Sequence, residues 1–426
     1  MTLTDAGEKF EFDWMWYIQS QGYFVRQAVP VTSICSAEDA TDIDVWGVKF
    51  LPPMRRSTAV VDCKNKARSK PYERILWAKG LAEYVGADQV FVGIPKANWT
   101  AIEFAHEGGI ALIPYEGITR HLATLPSDRR AYGQSSLALY GNFFSTRKGA
   151  LRSDKQVSTK IFEARSYLRL GSPFTNLNRI VAGLRECFEH VSYGSLDEAR
   201  QSLWMFAACE MIAAFAVNLM RVAENSFFLT PKDRRSLLIR RLTYGDMQPD
   251  KADEIIKLSS GLALAYAQEA LPIEDRVKLP MGPIDRACLQ APDYSADVAG
   301  LLERVVAHPM MYWDAVRILE AHLFGHVVFG RQAQKGDLPR PDYGADPADA
   351  YKAAKNMIVL ICDAAGVDRR PFWPERTNQV SITSETKQGQ GPNEVVAQTA
   401  TTRSDSTPPA KEGETLDGKN EGGSPA

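Results

Sequence analysis

Asp42-Ile43-Asp44-Val45-Trp46-Gly47 and Val60-Val61-Asp62-Cys63-Lys64 are short segments rich in β-branched and aromatic residues, and both read as strands. Between them lie Pro52-Pro53 and Arg55-Arg56-Ser57, a turn or loop composition, so the two strands are expected to pair as a hairpin. Side chains alternate across a strand. Asp62 and Lys64 therefore share one face, Val61 and Cys63 share the other, and Asp42 and Asp44 fall together. Pairing the strands brings Asp44, Asp62 and Lys64 to one place on an otherwise apolar sheet. Two carboxylates there are costly unless a countercharge offsets them. A divalent cation is one such countercharge. The competing reading is a cross-strand charge pair on a solvated face, which contributes little.

The constellation has a chemistry. Hard cations such as Mg2+ take oxygen ligands and keep several waters. Two carboxylates can hold the ion and leave room for a phosphate oxygen and an attacking water, whose acidity the metal raises. A lysine beside them can position or deprotonate the nucleophile, or stabilise charge on the phosphoryl oxygens. Cys63, between the two polar residues, should point to the opposite side as core. Asp42 is an alternative ligand, but one pleat earlier, and is expected to pair with a basic residue.

Elements follow in a particular order around these residues. Phe10-Glu11 stands in a helical run over residues 8–20, with Phe10, Trp14, Tyr17 and Ile18 along one stripe, and Gly22-Tyr23 comes next. Asp44 and then Val61-Asp62-Cys63-Lys64 come after it. Ala101-Ile102-Glu103-Phe104-Ala105 and Gly109-Ile110-Ala111-Leu112-Ile113 read as a closing helix and strand. In this order and spacing, residues 1–126, under a third of the chain, resemble the Mrr-type restriction endonucleases, a branch of the PD-(D/E)XK nuclease superfamily. Two features depart from the Mrr pattern. Thr41-Asp42-Ile43-Asp44 replaces the usual glycine-rich approach, and Asp62 stands where relatives often carry Glu or Gln.

The resemblance implies an α/β restriction-endonuclease-like domain, a mixed central sheet flanked by helices. It implies Asp44 and Asp62 as metal ligands, with Glu11 completing the metal site from the first helix, and Lys64 as the catalytic lysine. Read from the helix alone, Glu11 is equally a solvated residue. The implied activity is that of a Mg2+-dependent endonuclease, Mn2+ able to substitute, hydrolysing phosphodiester bonds, in DNA above all. A role in defence against foreign DNA is implied by the same resemblance. The alternative from another class is a catalytically silent nuclease-like module that binds nucleic acid or a partner protein. A third reading, a helical interaction protein with an unrelated α/β domain, requires Asp44 and Asp62 to lie far apart.

After Lys64 comes Asn65-Lys66-Ala67-Arg68-Ser69-Lys70, a short basic run. Cations beside a cleft neutralise phosphates, the term that dominates non-specific nucleic-acid affinity. Lys66, Arg68 and Lys70 are therefore candidate nucleic-acid contacts, with Arg55 and Arg56 at the hairpin tip as further ones. Residues 72–86 read as a helix and 89–94 as a buried strand.

The 426 residues suffice for two or three domains. The net charge of −2 excludes a global basic field, so any nucleic-acid binding rests on local patches. Six cysteines (Cys35, Cys63, Cys187, Cys209, Cys288, Cys362) are scattered without a C-x-x-C, which argues against a disulfide scaffold or zinc ribbon and fits a reducing cytoplasm. No basic and apolar leader opens the chain, so no secretory signal is expected. Leu203 to Met220 is apolar enough to suggest a membrane span, but Glu210 near its middle favours a core helix and no membrane.

Residues 127–158 read as a connector. From 159 to 375 the periodicity is helical, with helices expected over 159–170, 176–192, 196–228, 231–242, 250–270, 297–306, 309–330 and 346–366. This all-α domain has no motif tied to a reaction, and it offers a surface for a second copy or a protein partner. His322 and His326 share a helix face without a third ligand. Arg234, Arg235, Arg240 and Arg241 read as a solvated helix face that is also a candidate nucleic-acid contact. Residues 376–426, with no aromatic after Trp373, are too polar to offset ordering entropy and are expected to be disordered.

Overall fold

The computed structural model describes residues 6–32, 39–65, 70–125, 143–192 apart from 145 and 148, 196–270, 290–327 and 346–372. The expected tail over 376–426, most of the connector and the basic residues Lys66 and Arg68 lie outside the described residues.

Residues 6–125 form a five-stranded mixed sheet between helices. Helix α1 (Ala6–Ser20) leads into β1 (Phe24–Thr32), β2 (Asp39–Leu51) and β3 (Arg55–Cys63). Then come α2 (Pro71–Val85), β4 (Gln89–Ile94), α3 (Trp99–Glu107), β5 (Ala111–Pro114) and α4 (Tyr115–Thr124). The strands lie in chain order. β1, β2 and β3 pair antiparallel, and β4 and β5 add in parallel through the crossovers α2 and α3. The expected hairpin is present, but longer than the two short segments suggested. Phe50 pairs with Arg56 and Leu51 with Arg55, so the two arginines belong to β3 rather than to the turn.

Alternation sorts the two faces. Val45, Ala59, Val61 and Cys63 pack on Phe10, Trp14 and Ile18 of α1 and on Ile118 and Leu122 of α4. Trp46, Val48, Val60 and Val92 face Ile75, Ala78 and Ala82 of α2 and Ala101 and Ala105 of α3. Gly93 allows the closest approach: a Cβ there would lie 2.2 Å from the Trp14 indole nitrogen. Trp14 is fully buried, so no larger residue fits in β4 at that point.

A helical region follows. It comprises α5 (Lys155–Tyr167), α6 (Pro173–Ser192), α7 (Glu198–Ser226), α8 (Pro231–Tyr244), α9 (Pro249–Ala270), α10 (Ser295–Ala307), α11 (Pro309–Tyr312), α12 (Ala315–Val327) and α13 (Pro347–Ala365). Side-chain caps mark several starts. Asp154 accepts from Gln156 N and Val157 N, Asp197 from Arg200 N, Thr230 from Asp233 N and Asp346 from Ala348 N. The helix expected over 309–330 is interrupted after α11, and α12 restarts with the Asp314 carbonyl accepting from Ile318 N. Within the expected connector, Phe143 and Phe144 pack on Phe206 of α7, and residues 149–153 are helical. α7 is long and apolar enough to cross a membrane, but 94% of its apolar window is buried inside the protein.

Residues of the sheet and of the helical region belong to one compact unit. A buried ionic cluster joins them. Arg26 of β1 donates from Nε to Glu210 of α7 at 2.6 Å and from Nη1 to Glu320 of α12. Arg165 of α5 reaches Glu210 at 3.3 Å and the Gln27 carbonyl at 3.0 Å. The Arg26 guanidinium also lies over the Phe24 and Phe324 rings. Burial disfavours charge on Glu210, but Arg26 and Arg165 together outweigh it and hold its carboxyl low. Glu320 has the smaller share of cation, and burial pushes its carboxyl up to about 7.

Two consequences are measurable. Arg26→Met leaves two buried carboxylates without their shared cation and should cost about 3–5 kcal/mol in urea unfolding at neutral pH. The raised Glu320 group contributes stability that is complete below the ordinary glutamate value of 4.5 and is lost as pH rises through about 7. Glu320→Gln should therefore flatten the decline in melting temperature across that window. An unchanged slope would show that another group titrates there.

Candidate active site

The register of β2 against β3 sets the site. Val45 and Val61 are the last residues paired. The next step outward sets Asp44 across from Asp62, on the face that carries Trp46 and Val60 and looks toward α2. Here the strands part. Asp44 turns its carboxylate into the gap, where Oδ2 accepts the Cys63 backbone N–H at 2.5 Å. β3 meanwhile stays bound to β4, with Lys64 N donating to the Gly93 carbonyl at 2.9 Å. β1 is irregular at the same level. The register is unbroken from Gln27–Val45 to Val29–Ile43, but Ala28, opposite Asp44, has a φ of +48°. That left-handed conformation costs a residue with a Cβ about 1–2 kcal/mol. Such strain gathers where a chain is held for function.

The charges are unequally satisfied. Asp62 is buried and gripped by Arg74 of α2, whose Nε donates to Oδ2 at 2.7 Å and whose Nη2 donates to Oδ1. Asp44 is half-buried. Burial pushes its carboxyl up, the Cys63 N–H opposes this, nearby Asp42 adds to it, and Arg74 and Lys64 draw it back. Arg74 and Lys64 are thus both within electrostatic reach of Asp44, and Arg74, which holds Asp62, links the two acids. Two opposed carboxylates are balanced by a guanidinium and an ammonium at the open end of a strand pair.

Other candidates fall elsewhere. Glu11 comes to the same end of β3 from the α1 side, close enough for its charge to raise the Cys63 thiol, which burial already holds well above its ordinary value. Among the described residues, no three His, Cys, Asp or Glu side chains gather around one point, so Glu11 does not form a three-carboxylate group with Asp44 and Asp62. Cys63 belongs to the α1-side core, as alternation requires. Lys70 pairs with Glu73 at 2.6 Å on the surface. Arg55 and Arg56 do not join the site. They lie seven and six residues along the hairpin from the carboxylates, about 20–23 Å at strand rise, and Arg56 N donates to Glu224 of α7 at 2.9 Å.

The helical region's candidates serve packing. His322 Nε2 is 2.7 Å from the Phe372 carbonyl, and the His326 side chain lies outside the described residues. Arg234 is buried rather than solvated. It donates to the carbonyls of Ser226 and Leu229 at 3.1 and 2.7 Å and pairs with Glu303, closing the C-terminus of α7. A groove of about 570 Å3 beside α3 and β5, lined by Trp99, Ile102, His106 and Ile113 among others, takes in none of the predicted site residues.

Arg74 is the residue the strand pattern did not reveal. It lies twelve residues beyond Asp62, on the first turns of the crossover helix, and nothing in its local sequence marks it as inward. The available signal was general: a buried carboxylate requires a cation, and the helix after β3 returns over the face that bears Asp62. The chain matches no model of a known protein family, no curated protein and no solved structure.

Proposed function

We propose that this chain is a metal-dependent endonuclease that hydrolyses phosphodiester bonds, DNA being the favoured substrate. The observation that carries this reading is the placement of Asp44 across from Asp62, with Lys64 beside them, where β2 and β3 part. The donor set fits a hard cation: oxygen ligands, partly desolvated, with excess negative charge from Asp42. Asp44 and Asp62 would hold Mg2+ or Mn2+, with Glu11 a further acid within reach of the same strand end. A bound ion of this kind acidifies water and stabilises charge at phosphorus. Lys64, half-buried and held by the pairing of its own backbone with β4, orients the nucleophile and meets charge developing on the phosphoryl oxygens. The buried sheet face excludes water from one side of the reacting group. Lys66, Arg68 and Lys70, directly after the lysine, provide phosphate contacts that position the backbone without reading sequence. A place in defence against foreign DNA accompanies this reading through the family resemblance alone, and a cytoplasmic location through the scattered cysteines.

A second reading has its own supporting observation. Both oxygens of Asp62 are taken up by Arg74, as expected of a nuclease-like module that binds nucleic acid or a partner without cutting it. Cleavage assays on a panel of DNA and RNA with Mg2+ or Mn2+ separate the two. Asp62→Ala and Lys64→Ala should each reduce metal-dependent cleavage by roughly 10²-fold or more. Folding should persist, since the half-exposed Arg74 can turn to solvent. Full metal-dependent cleavage by purified Asp62→Ala protein would refute the site.

The basic loop is open to a separate measurement. Replacing Lys66, Arg68 and Lys70 together with Ala should weaken duplex binding alike across sequences. The log–log salt slope should fall by roughly 2 to 3. An unchanged slope in an anisotropy titration would make the loop an ordinary solvated turn.

A further inference from the structure

We propose that Arg74 is a built-in competitor of the cation, holding Asp62 until a phosphodiester group takes the guanidinium in exchange, so that nucleic acid and metal enter the site together. The inference rests on the nuclease reading above and adds how that site is kept closed.

Four observations carry it. Arg74 engages both oxygens of Asp62, so the ligand has no oxygen wholly free for a cation while the pair stands. The two partners differ in exposure: the Asp62 side chain is 4% exposed and that of Arg74 25%. The acid is locked in the sheet, and the base has a path outward. Arg74 also acts on Asp44, so one guanidinium serves as countercharge to both proposed ligands. Its backbone is fixed in the first turns of α2, with Arg74 N donating to the Lys70 carbonyl at 3.2 Å, so release needs only a side-chain rotation.

The chemistry of the exchange follows from the shape of the group. A guanidinium presents a planar fork that matches a carboxylate and a phosphate equally well. A phosphodiester arriving at the open end of β2 and β3 can therefore accept the fork that Asp62 gives up. Asp62 is then left buried opposite Asp44 without a countercharge, a state that demands a cation. Without nucleic acid the site keeps its own positive charge and binds metal weakly. Linkage makes the effect reciprocal: whatever factor the nucleic acid adds to metal affinity, the metal adds to nucleic-acid affinity.

The test is calorimetric titration of Mn2+ into the full chain, without nucleic acid and with a saturating short phosphorothioate DNA duplex. In the absence of duplex, Arg74→Gln should bind Mn2+ roughly tenfold more tightly than the parent protein, and Arg74→Gln/Asp62→Asn should lose that gain. Adding the duplex should tighten Mn2+ binding to the parent several-fold more than to Arg74→Gln. If Arg74→Gln fails to fold by circular dichroism, Arg74→Lys keeps the charge without the fork and should fall between the two. Equal Mn2+ affinity of the parent and a folded Arg74 variant, with Asp62→Asn abolishing binding, would overturn the competitor role and leave the nuclease site standing. No Mn2+ binding by any of these proteins, with or without duplex, would remove the nuclease reading itself.

Discussion

The placing of two carboxylates, Asp62 buried and Asp44 half-buried, at the open end of the β2–β3 pair is the constraint around which the sheet region is arranged. Asp44 and Asp62 are brought together by strand register, and a slip of one residue would turn Asp62 into the α1 core and Cys63 toward α2. Register is held by the apolar alternation on either side, with Val45 and Val61 against α1 and Trp46 and Val60 against α2. The charge itself must be answered. Asp44 takes a backbone N–H that the parted ladder leaves open, and Asp62 takes the guanidinium of Arg74. Removing that local excess of negative charge would make the site easier to fold and less able to attract a cation.

The same logic operates at the junction of sheet and helices. Arg26 stands within the apolar core between two glutamates from different helices, and its guanidinium lies over two phenylalanine rings. A buried pair of this kind contributes less to stability than its short distances suggest, because desolvation offsets most of the attraction. Its value here is orientation. Arg26, Arg165, Glu210 and Glu320 tie β1, α5, α7 and α12 to one another. The polar residue that disqualifies α7 as a membrane span is the one to which the sheet is tied.

The two clusters solve one problem in different ways. In the junction, two arginines and two glutamates are sealed in the core, and protonation of Glu320 near neutrality relieves the remaining imbalance. At the strand end Asp62 is sealed, but Asp44 and Arg74 are partly open to solvent. A sealed network specifies a structure. A network with one member partly open to solvent presents that member to an incoming group, which is why the strand end, and not the junction, is the place to seek chemistry.

Local pattern was enough for much of this. The period-two alternation of residues 42–47 and 60–64 identified the hairpin and the core placement of Cys63. Helical periodicity located the helices after residue 159 to within a few residues. Such signals are legible because each is confined to a few neighbouring residues. Contacts between distant segments were not. Arg74 on Asp62, Arg26 on Glu210 and Glu320, Arg234 on the end of α7, and Arg56 on Glu224 each join residues whose partners no local pattern names. The sequence by itself determined which faces are apolar and where two carboxylates could meet. Only the tertiary structure decided which arginine answers each acid, because burial converts an indifferent surface charge into one that must find a partner.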